Sequence, residues 1–266
     1  MTLHNAPSSP ISVLAFLGTG HFASYTIAAL RKGGFEGSIL LSPRNAEVAA
    51  KLADVYNCDV MQDNQSLLNE AEAVVLSVRP QHLQSALEGL VFRDDHLVIS
   101  AVAGISLESL RAHRNLPETV VRTMPVSCIE AGDGIVPLFP PQKQAEELLS
   151  QAGALVSFET EQSFDLAMIA SCMNGTLYHW MQGMVDWMQA KGLPEQAARD
   201  LVVHNIRGAT AYADLHRDQH LESIGNGIAT EGTYTRTALD HLKENGIIQG
   251  WPDSLEAIYK RMTDEA

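Results

Sequence analysis

Residues Ile11 to Ala23 read ISVLAFLGTGHFA, an apolar run that ends in Gly18-x-Gly20-x-x-Ala23 and passes straight into a helical pattern. Strand, glycine turn and helix in immediate succession form the phosphate-cradling element of a dinucleotide-binding fold. Gly18 permits the tight turn, Gly20 lets backbone approach a pyrophosphate, and small Ala23 lets the helix pack close on the strand. Thr19, His21 and Phe22 complete the turn, and the helix N-terminus offers N–H groups to the anion. The plainer alternative is a glycine turn that holds no ligand.

The second strand indicates which dinucleotide. An NAD site places an Asp or Glu on the ribose hydroxyls about 20 residues past the glycines. Here the strand Ser38–Leu41 runs into Ser42-Pro43-Arg44-Asn45, with no acid. Arg44 and Ser42 offer a cation and a hydroxyl where a 2′-phosphate would lie, which favours NADP over NAD. Otherwise Arg44 is an ordinary solvated loop charge.

With 266 residues the chain can hold two medium domains. Its formal net charge is −14, without a basic block, so nucleic acid and anionic membrane are poor partners. Cys58, Cys128 and Cys172 are odd in number, far apart and unlike a zinc pattern, which suits a reducing compartment and excludes an obvious metal centre. MTLHNAPSSP lacks a basic stretch followed by an apolar core, so it reads as a short disordered tail, and a cytoplasmic protein is expected. Leu166 to Val185 carries no Asp, Glu, Lys or Arg, but Ser171, Asn174, His179 and Gln182 make it too polar for a membrane span. A helix buried among other helices, partner subunit included, fits better.

From Ile11 to about Glu159 short β-branched runs alternate with amphipathic stretches, as a parallel sheet with crossover helices requires. Strands are predicted at Ile11–Leu17, Ser38–Leu41, Ala73–Val78, Leu97–Ser100, Thr119–Arg122, Ile135–Phe139 and Leu155–Phe158. Beyond Glu161 the pattern is helical, with helices predicted over Gln162–Lys191, Glu195–Leu215, Thr233–Asn245 and Ser254–Thr263. Lys191-Gly192-Leu193-Pro194 separates the first two. The expected fold class is α/β: a Rossmann-type N-terminal domain with a mainly parallel sheet over residues 1–160, then an all-α C-terminal domain over residues 161–266.

Four further segments follow in order: Ser77-Val78-Arg79-Pro80-Gln81, Ser100 to Ser106 (SAVAGIS), Val121-Arg122-Thr123-Met124-Pro125, and Gly232-Thr233-Tyr234-Thr235 ahead of Leu239-x-x-Leu242. Together they resemble the pyrroline-5-carboxylate reductase family, from Gly18 to about Gly246. The resemblance implies that Asn64 meets the cofactor ribose and phosphate, and that the helical domain interlocks with a second copy as a homodimer or larger homo-oligomer. It also implies hydride transfer from NAD(P)H to a cyclic imine carboxylate, as in proline biosynthesis. Ser77, Val78, Arg79, Pro80, Ala101, Ala103 and Gly104 lie at carboxyl ends of parallel strands, where ligands bind in this architecture. Small Ala101, Ala103 and Gly104 would admit a nicotinamide ring; small residues kept for packing are the alternative.

A protonated imine carries its own electrophilic charge, so its reduction requires position more than acid or base. Ser171–Trp180 contains no Lys, unlike the hydroxyacid dehydrogenases of related architecture; Tyr178 and His179 lie close by and could donate a proton, the plainer alternative being packed helix residues. Thr235 matches the family threonine that holds the substrate carboxylate, at a helix opening suited to an anion, and is the residue placed in the catalytic centre. As alternatives, it only caps the helix or sits in its first turn.

The match erodes around substrate. Val126 stands where the family has Asn, with Ser127 beside it, and Glu231-Gly232-Thr233-Tyr234 replaces the family's glycine-rich run. Val126, Ser127, Gly232, Thr233 and Tyr234 are the expected substrate-side residues. Three readings stay open: reduction of a different imine, larger or bearing an extra amine for Glu231 to meet; reduction of pyrroline-5-carboxylate in a drifted pocket; or a non-catalytic dinucleotide-binding sensor.

Overall fold

The computed structural model describes residues 10–264, so the tail expected over residues 1–10 lies outside them apart from Pro10. Two compact units form, the first ending at Ser171 and the second starting at Cys172.

In the first unit β1 (Val13–Leu17) leads through Gly18 into α1 (His21–Lys32), β2 (Ser38–Leu41) and α2 (Ala46–Tyr56). Next come β3 (Asp59–Val60), α3 (Asn64–Glu70), β4 (Ala73–Leu76), a 3₁₀ turn at Pro80–His82, α4 (Leu83–Leu87) and β5 (Leu97–Ser100). The unit closes with α5 (Leu107–Arg111), β6 (Val120–Thr123), a second 3₁₀ turn at Ser127–Ala131, β7 (Ile135–Phe139), α6 (Lys143–Leu149), β8 (Ala154–Ser157) and α7 (Glu161–Ser171).

These strands build one eight-stranded sheet in the order β3-β2-β1-β4-β5-β6-β7-β8. All neighbours are parallel except β6 and β7. The order reverses between β1 and β4, the point where a doubly wound sheet opens a crevice beyond its strand ends. Successive residues of β1 alternate between two cores: Leu14 and Phe16 join Ile39, Leu41 and Val75, while Ala15 and Leu17 join Leu40, Val74 and Leu76. A sheet buried on both faces explains why its strands read as unbroken apolar runs.

Glu72 fastens the start of β1, accepting the N–H groups of Ser12 and Val13, and these bonds hold its carboxyl below the usual range. His96, fully buried before β5, accepts the Arg93 N–H at Nδ1, which leaves Nε2 as the donor to the Leu68 and Ala71 carbonyls.

The sequence placed the domain boundary at 160/161, whereas α7 groups with the first unit. The physical reason is buried Arg122 on β6, whose guanidinium meets Glu161 and Asp165 of α7 and lies 4.7 Å from the Phe164 ring centroid.

The second unit contains α8 (Met173–Ala190), α9 (Glu195–Leu215), α10 (Leu221–Ile228), α11 (Tyr234–Glu244) and α12 (Ile247–Asp264). Its buried core is small: Val185 on α8 meets Ala198 and Val202 on α9, with Met181, Met188 and Ile206 around them. The single helix predicted over Gln162–Lys191 is two. Ser171 Oγ turns back onto the Ala167 carbonyl, an interaction that bends helices, and the chain breaks at Cys172 before resuming. The predicted helix Ser254–Thr263 starts earlier, at Ile247, because Pro252 is accommodated inside it rather than before it. Among the described residues no helix is long and apolar enough to cross a membrane.

Candidate active site

The switch point between β1 and β4 is held by glycine for a steric reason. Gly18 has φ +112°, and a Cβ there would sit 2.7 Å from the Ser77 carbonyl oxygen. The approach is locked from the other side, where Ser77 Oγ donates to the Gly18 carbonyl at 2.7 Å. A Cβ at Gly20, by contrast, would meet nothing within 4 Å, so open space faces this residue. Gly20 precedes α1 with no side-chain cap, and the N–H groups of the first turn, beginning at His21 and Phe22, point where an anion is stabilised. Ala23 is fully buried, as close helix–strand contact needs.

A cavity of about 340 Å³ opens here, lined by Gly18, Ser42, Arg44, Asn64 and Val78. It gathers five of the residues singled out from sequence. Ser85 and Ala86 of α4 line it too. Sequence reasoning missed both, since small residues on a short helix carry no signal of their own. Ser42 Oγ donates to Asn64 Oδ1 at 2.8 Å, which commits the Asn64 oxygen and leaves its NH₂ as a donor. Asp63 caps α3 by accepting the Ser66 N–H, and that bond keeps its carboxyl below the ordinary range and fixes the neighbouring Asn64. Buried Thr19 braces the loop, donating to the Ser42 carbonyl and accepting from Asn45 Nδ2. Arg44 is exposed and makes no ion pair among the described residues, so its charge is open to an anion.

Val78 and the exposed Arg79 follow β4, and Pro80 opens the next turn. Buried Ala101 follows β5, its N–H bonded to the Leu76 carbonyl, and exposed Ala103 and Gly104 continue the same edge. Half-buried Val126 and exposed Ser127 follow β6. Tyr25 of α1 donates from its hydroxyl to the Pro125 carbonyl at 2.9 Å, tying the glycine-turn helix to this loop, and burial pushes the phenol pKa up.

The remaining predicted residues belong to the second unit. Thr233 is the N-cap of α11, its Oγ1 accepting the Arg236 N–H at 3.1 Å. Thr235 lies in the first turn, exposed, at a groove of about 520 Å³ that it shares with Leu239, Leu242 and Ile248. Gly232 has φ +80°, which a side chain would strain. Tyr234 is 96% exposed. Arg236 is engaged by Asp240 at 2.8 and 2.9 Å, and Glu231 adds to the negative field around it. No cluster of His, Cys, Asp or Glu able to hold a metal occurs among the described residues.

Residues 13–104 match the family described as NADP oxidoreductase coenzyme F420-dependent, and residues 161–264 match pyrroline-5-carboxylate reductase dimerisation. A pyrroline-5-carboxylate reductase of Pseudomonas aeruginosa is 29% identical over 265 residues, covering 95% of this chain and 96% of its own. Along nearly its whole length the chain is similar to pyrroline-5-carboxylate reductases. The Haemophilus influenzae pyrroline-5-carboxylate reductase is 29% identical over 240 residues, 85% of this chain and 88% of its own.

The crystal structure of the Streptococcus pyogenes reductase superposes with TM-score 0.83 at 18% identity, covering 97% of this chain and all of that one. The Plasmodium falciparum pyrroline carboxylate reductase, solved with NADP bound, gives 0.81 at 17%, covering 95% of this chain and 97% of its own. At such identities the structures establish a shared fold.

Proposed function

We propose that the protein is an NADPH-dependent reductase that transfers hydride to the C=N bond of pyrroline-5-carboxylate, forming proline. The observation that carries this reading is the near end-to-end match to pyrroline-5-carboxylate reductases across both units. The cleft supports the cofactor half. Gly18, Gly20 and the α1 N-terminus suit a diphosphate, while Ser42, Arg44 and Asn64 suit a phosphorylated ribose.

NADPH, when bound, supplies the hydride. The chain's own residues position: Ser77–Pro80 and Ala101–Gly104 would flank the nicotinamide at the strand ends, and Thr235 would hold the substrate carboxylate. Exposed Glu231 and Tyr234 extend into solvent in this unit rather than filling the groove beside Thr235, which supports drift over a new substrate. A sensor without turnover is not favoured, because the relatives matched along both units are named as reductases.

The helical unit assembles with a second copy as a homo-oligomer, a dimer in our reading. Trp187, Leu201, Tyr212, Leu215 and Leu221 are 46–78% exposed, more apolar surface than an isolated unit leaves in water. The odd number and wide spacing of Cys58, Cys128 and Cys172 support a reducing compartment, in our reading the cytoplasm.

Replacing Thr235 by Val tests the substrate half. The expected result in steady-state kinetics is a KM for pyrroline-5-carboxylate raised about tenfold, with NADPH affinity unchanged, as loss of one bond to a charged group implies. An unchanged KM would remove Thr235 from the site.

A further inference from the structure

Outside the cofactor cleft, the densest polar cluster of the first unit surrounds Arg122. Its side chain is 4% exposed and sits on β6 directly beside Ser100, the last residue of β5. Arg122 Nη1 donates to Glu161 Oε1 at 2.5 Å and to Asp165 Oδ1 at 3.2 Å. The same Glu161 oxygen accepts the backbone N–H of Leu107 at 2.6 Å. One carboxylate oxygen therefore joins β6 to the first residue of α5.

The segment between β5 and α5 is Ala101 to Ser106. Its near end is fixed by the Ala101 N–H on the Leu76 carbonyl. At the far end Ser106 Oγ caps only its own helix, accepting the Ser109 N–H. Leu107 and Leu110 bury their side chains in the core with Ile105 against them, and the polar tie of that end to the rest of the fold is the Leu107 N–H on Glu161. Between the two anchors Ala103 and Gly104 are exposed, Gly104 at φ +71°, and a Cβ on Gly104 would meet nothing within 4 Å. Val102 and Ile105 pack into the core, whereas exposed Ala103 and Gly104 have open space before them and depend on the anchors on either side for position.

We propose that Glu161 is a positioning residue: holding Leu107 and Arg122, it fixes the Ala101–Ser106 loop at the distance from which that loop supports the nicotinamide ring. This rests on the reading that Ala101, Ala103 and Gly104 face the ring. Glu161 touches neither cofactor nor substrate and acts through the loop. Asp165 shares the guanidinium but at 3.2 Å, against 2.5 Å for Glu161. Arg122 therefore relies chiefly on Glu161.

The test compares Glu161→Met, which keeps length and removes the acceptor, with Glu161→Gln, which keeps the acceptor oxygen. Three readouts apply: NADPH dissociation constant, fluorescence of bound NADPH, which reports the surroundings of its nicotinamide, and kcat with its primary deuterium isotope effect from NADPH deuterated at C4. For Glu161→Met the expected dissociation constant stays within about threefold of wild type. Its bound-NADPH emission moves toward that of free NADPH, kcat falls about 10- to 100-fold, and the isotope effect rises as hydride transfer becomes limiting. Glu161→Gln is expected to restore most of each.

Should Glu161→Met not fold, Leu107→Pro removes the donor at a first-turn position that tolerates proline, and measured against Leu107→Ala, which loses the same buried side chain but keeps the N–H, it carries the same expectation. Wild-type emission and kcat in the Met or Pro variant would overturn the proposal. So would a loss shared equally by NADPH affinity and thermal stability that Gln does not rescue. Ala103→Val separates the underlying reading: if it leaves all three readouts unchanged, the loop does not face the ring and both ideas fall. If Ala103→Val impairs them and Glu161→Met does not, only the positioning role is lost.

Discussion

Arg44→Ala is expected to weaken NADPH binding about 10- to 100-fold while changing NADH affinity by less than about threefold. A charge-assisted bond to phosphate is worth about 1.5–3 kcal/mol, and each 1.4 kcal/mol is tenfold. Because Arg44 is exposed, the lower half of that range applies at physiological ionic strength, and the effect should shrink as salt is added. No neighbouring carboxylate among the described residues competes for its charge, so the whole loss should appear as lost discrimination between the two cofactors. Fluorescence titrations with both nucleotides measure it. Equal losses for NADPH and NADH would mean that Arg44 does not meet the 2′-phosphate.

The glycines of the turn should separate folding from binding. Gly18→Ala places a Cβ 2.7 Å from the Ser77 carbonyl oxygen and 3.0 Å from Val78 Cγ1 at a backbone φ of +112°. Backbone cannot yield as a side chain can. The expected result is a destabilisation of about 1–3 kcal/mol together with loss of NADPH binding by about 100-fold or more. Gly20→Ala adds its methyl to open space. It should leave the melting temperature within a degree or two of wild type, in line with a contact-free substitution, yet still lower NADPH affinity because the methyl occupies the approach to the diphosphate. Thermal unfolding and NADPH titration of both variants distinguish the cases. A Gly20→Ala protein that binds NADPH normally would contradict placement of the diphosphate on this turn.

Why were some parts of the fold legible and others not? Strands of a sheet covered on both faces read as continuous apolar runs, so β1, β2 and β5 stood out within a residue or two. The β3 strand is two exposed residues at the sheet edge and carries no such signal. Helix α10, LESIGNGI, was missed because Gly225 and Gly227 lower its propensity, although Leu221, Ile224 and Ile228 share a face. Pro252 hid the first half of α12, since proline normally marks a helix start rather than an interior.

The cavity that gathers Gly18, Ser42, Arg44, Asn64 and Val78 was legible because backbone chemistry imposes residue type at its turn, where a positive φ requires glycine; its reading as a 2′-phosphate site remains our proposal. The Arg122–Glu161–Leu107 junction left no pattern at all. Its members are 15 and 39 positions apart in sequence and meet only once β5, β6 and α7 are folded together. The proposed substrate side rests on resemblance alone, because Thr235 and its neighbours sit on a helix opening that capping alone would explain.

The most direct test of the account is NADPH oxidation by the purified protein with pyrroline-5-carboxylate, followed by absorbance at saturating cofactor once NADPH binding has been verified. The account predicts proline formation stoichiometric with NADPH consumed and a kcat within the common enzymatic range of about 1–10³ s⁻¹. Tight NADPH binding with negligible turnover of pyrroline-5-carboxylate would contradict it.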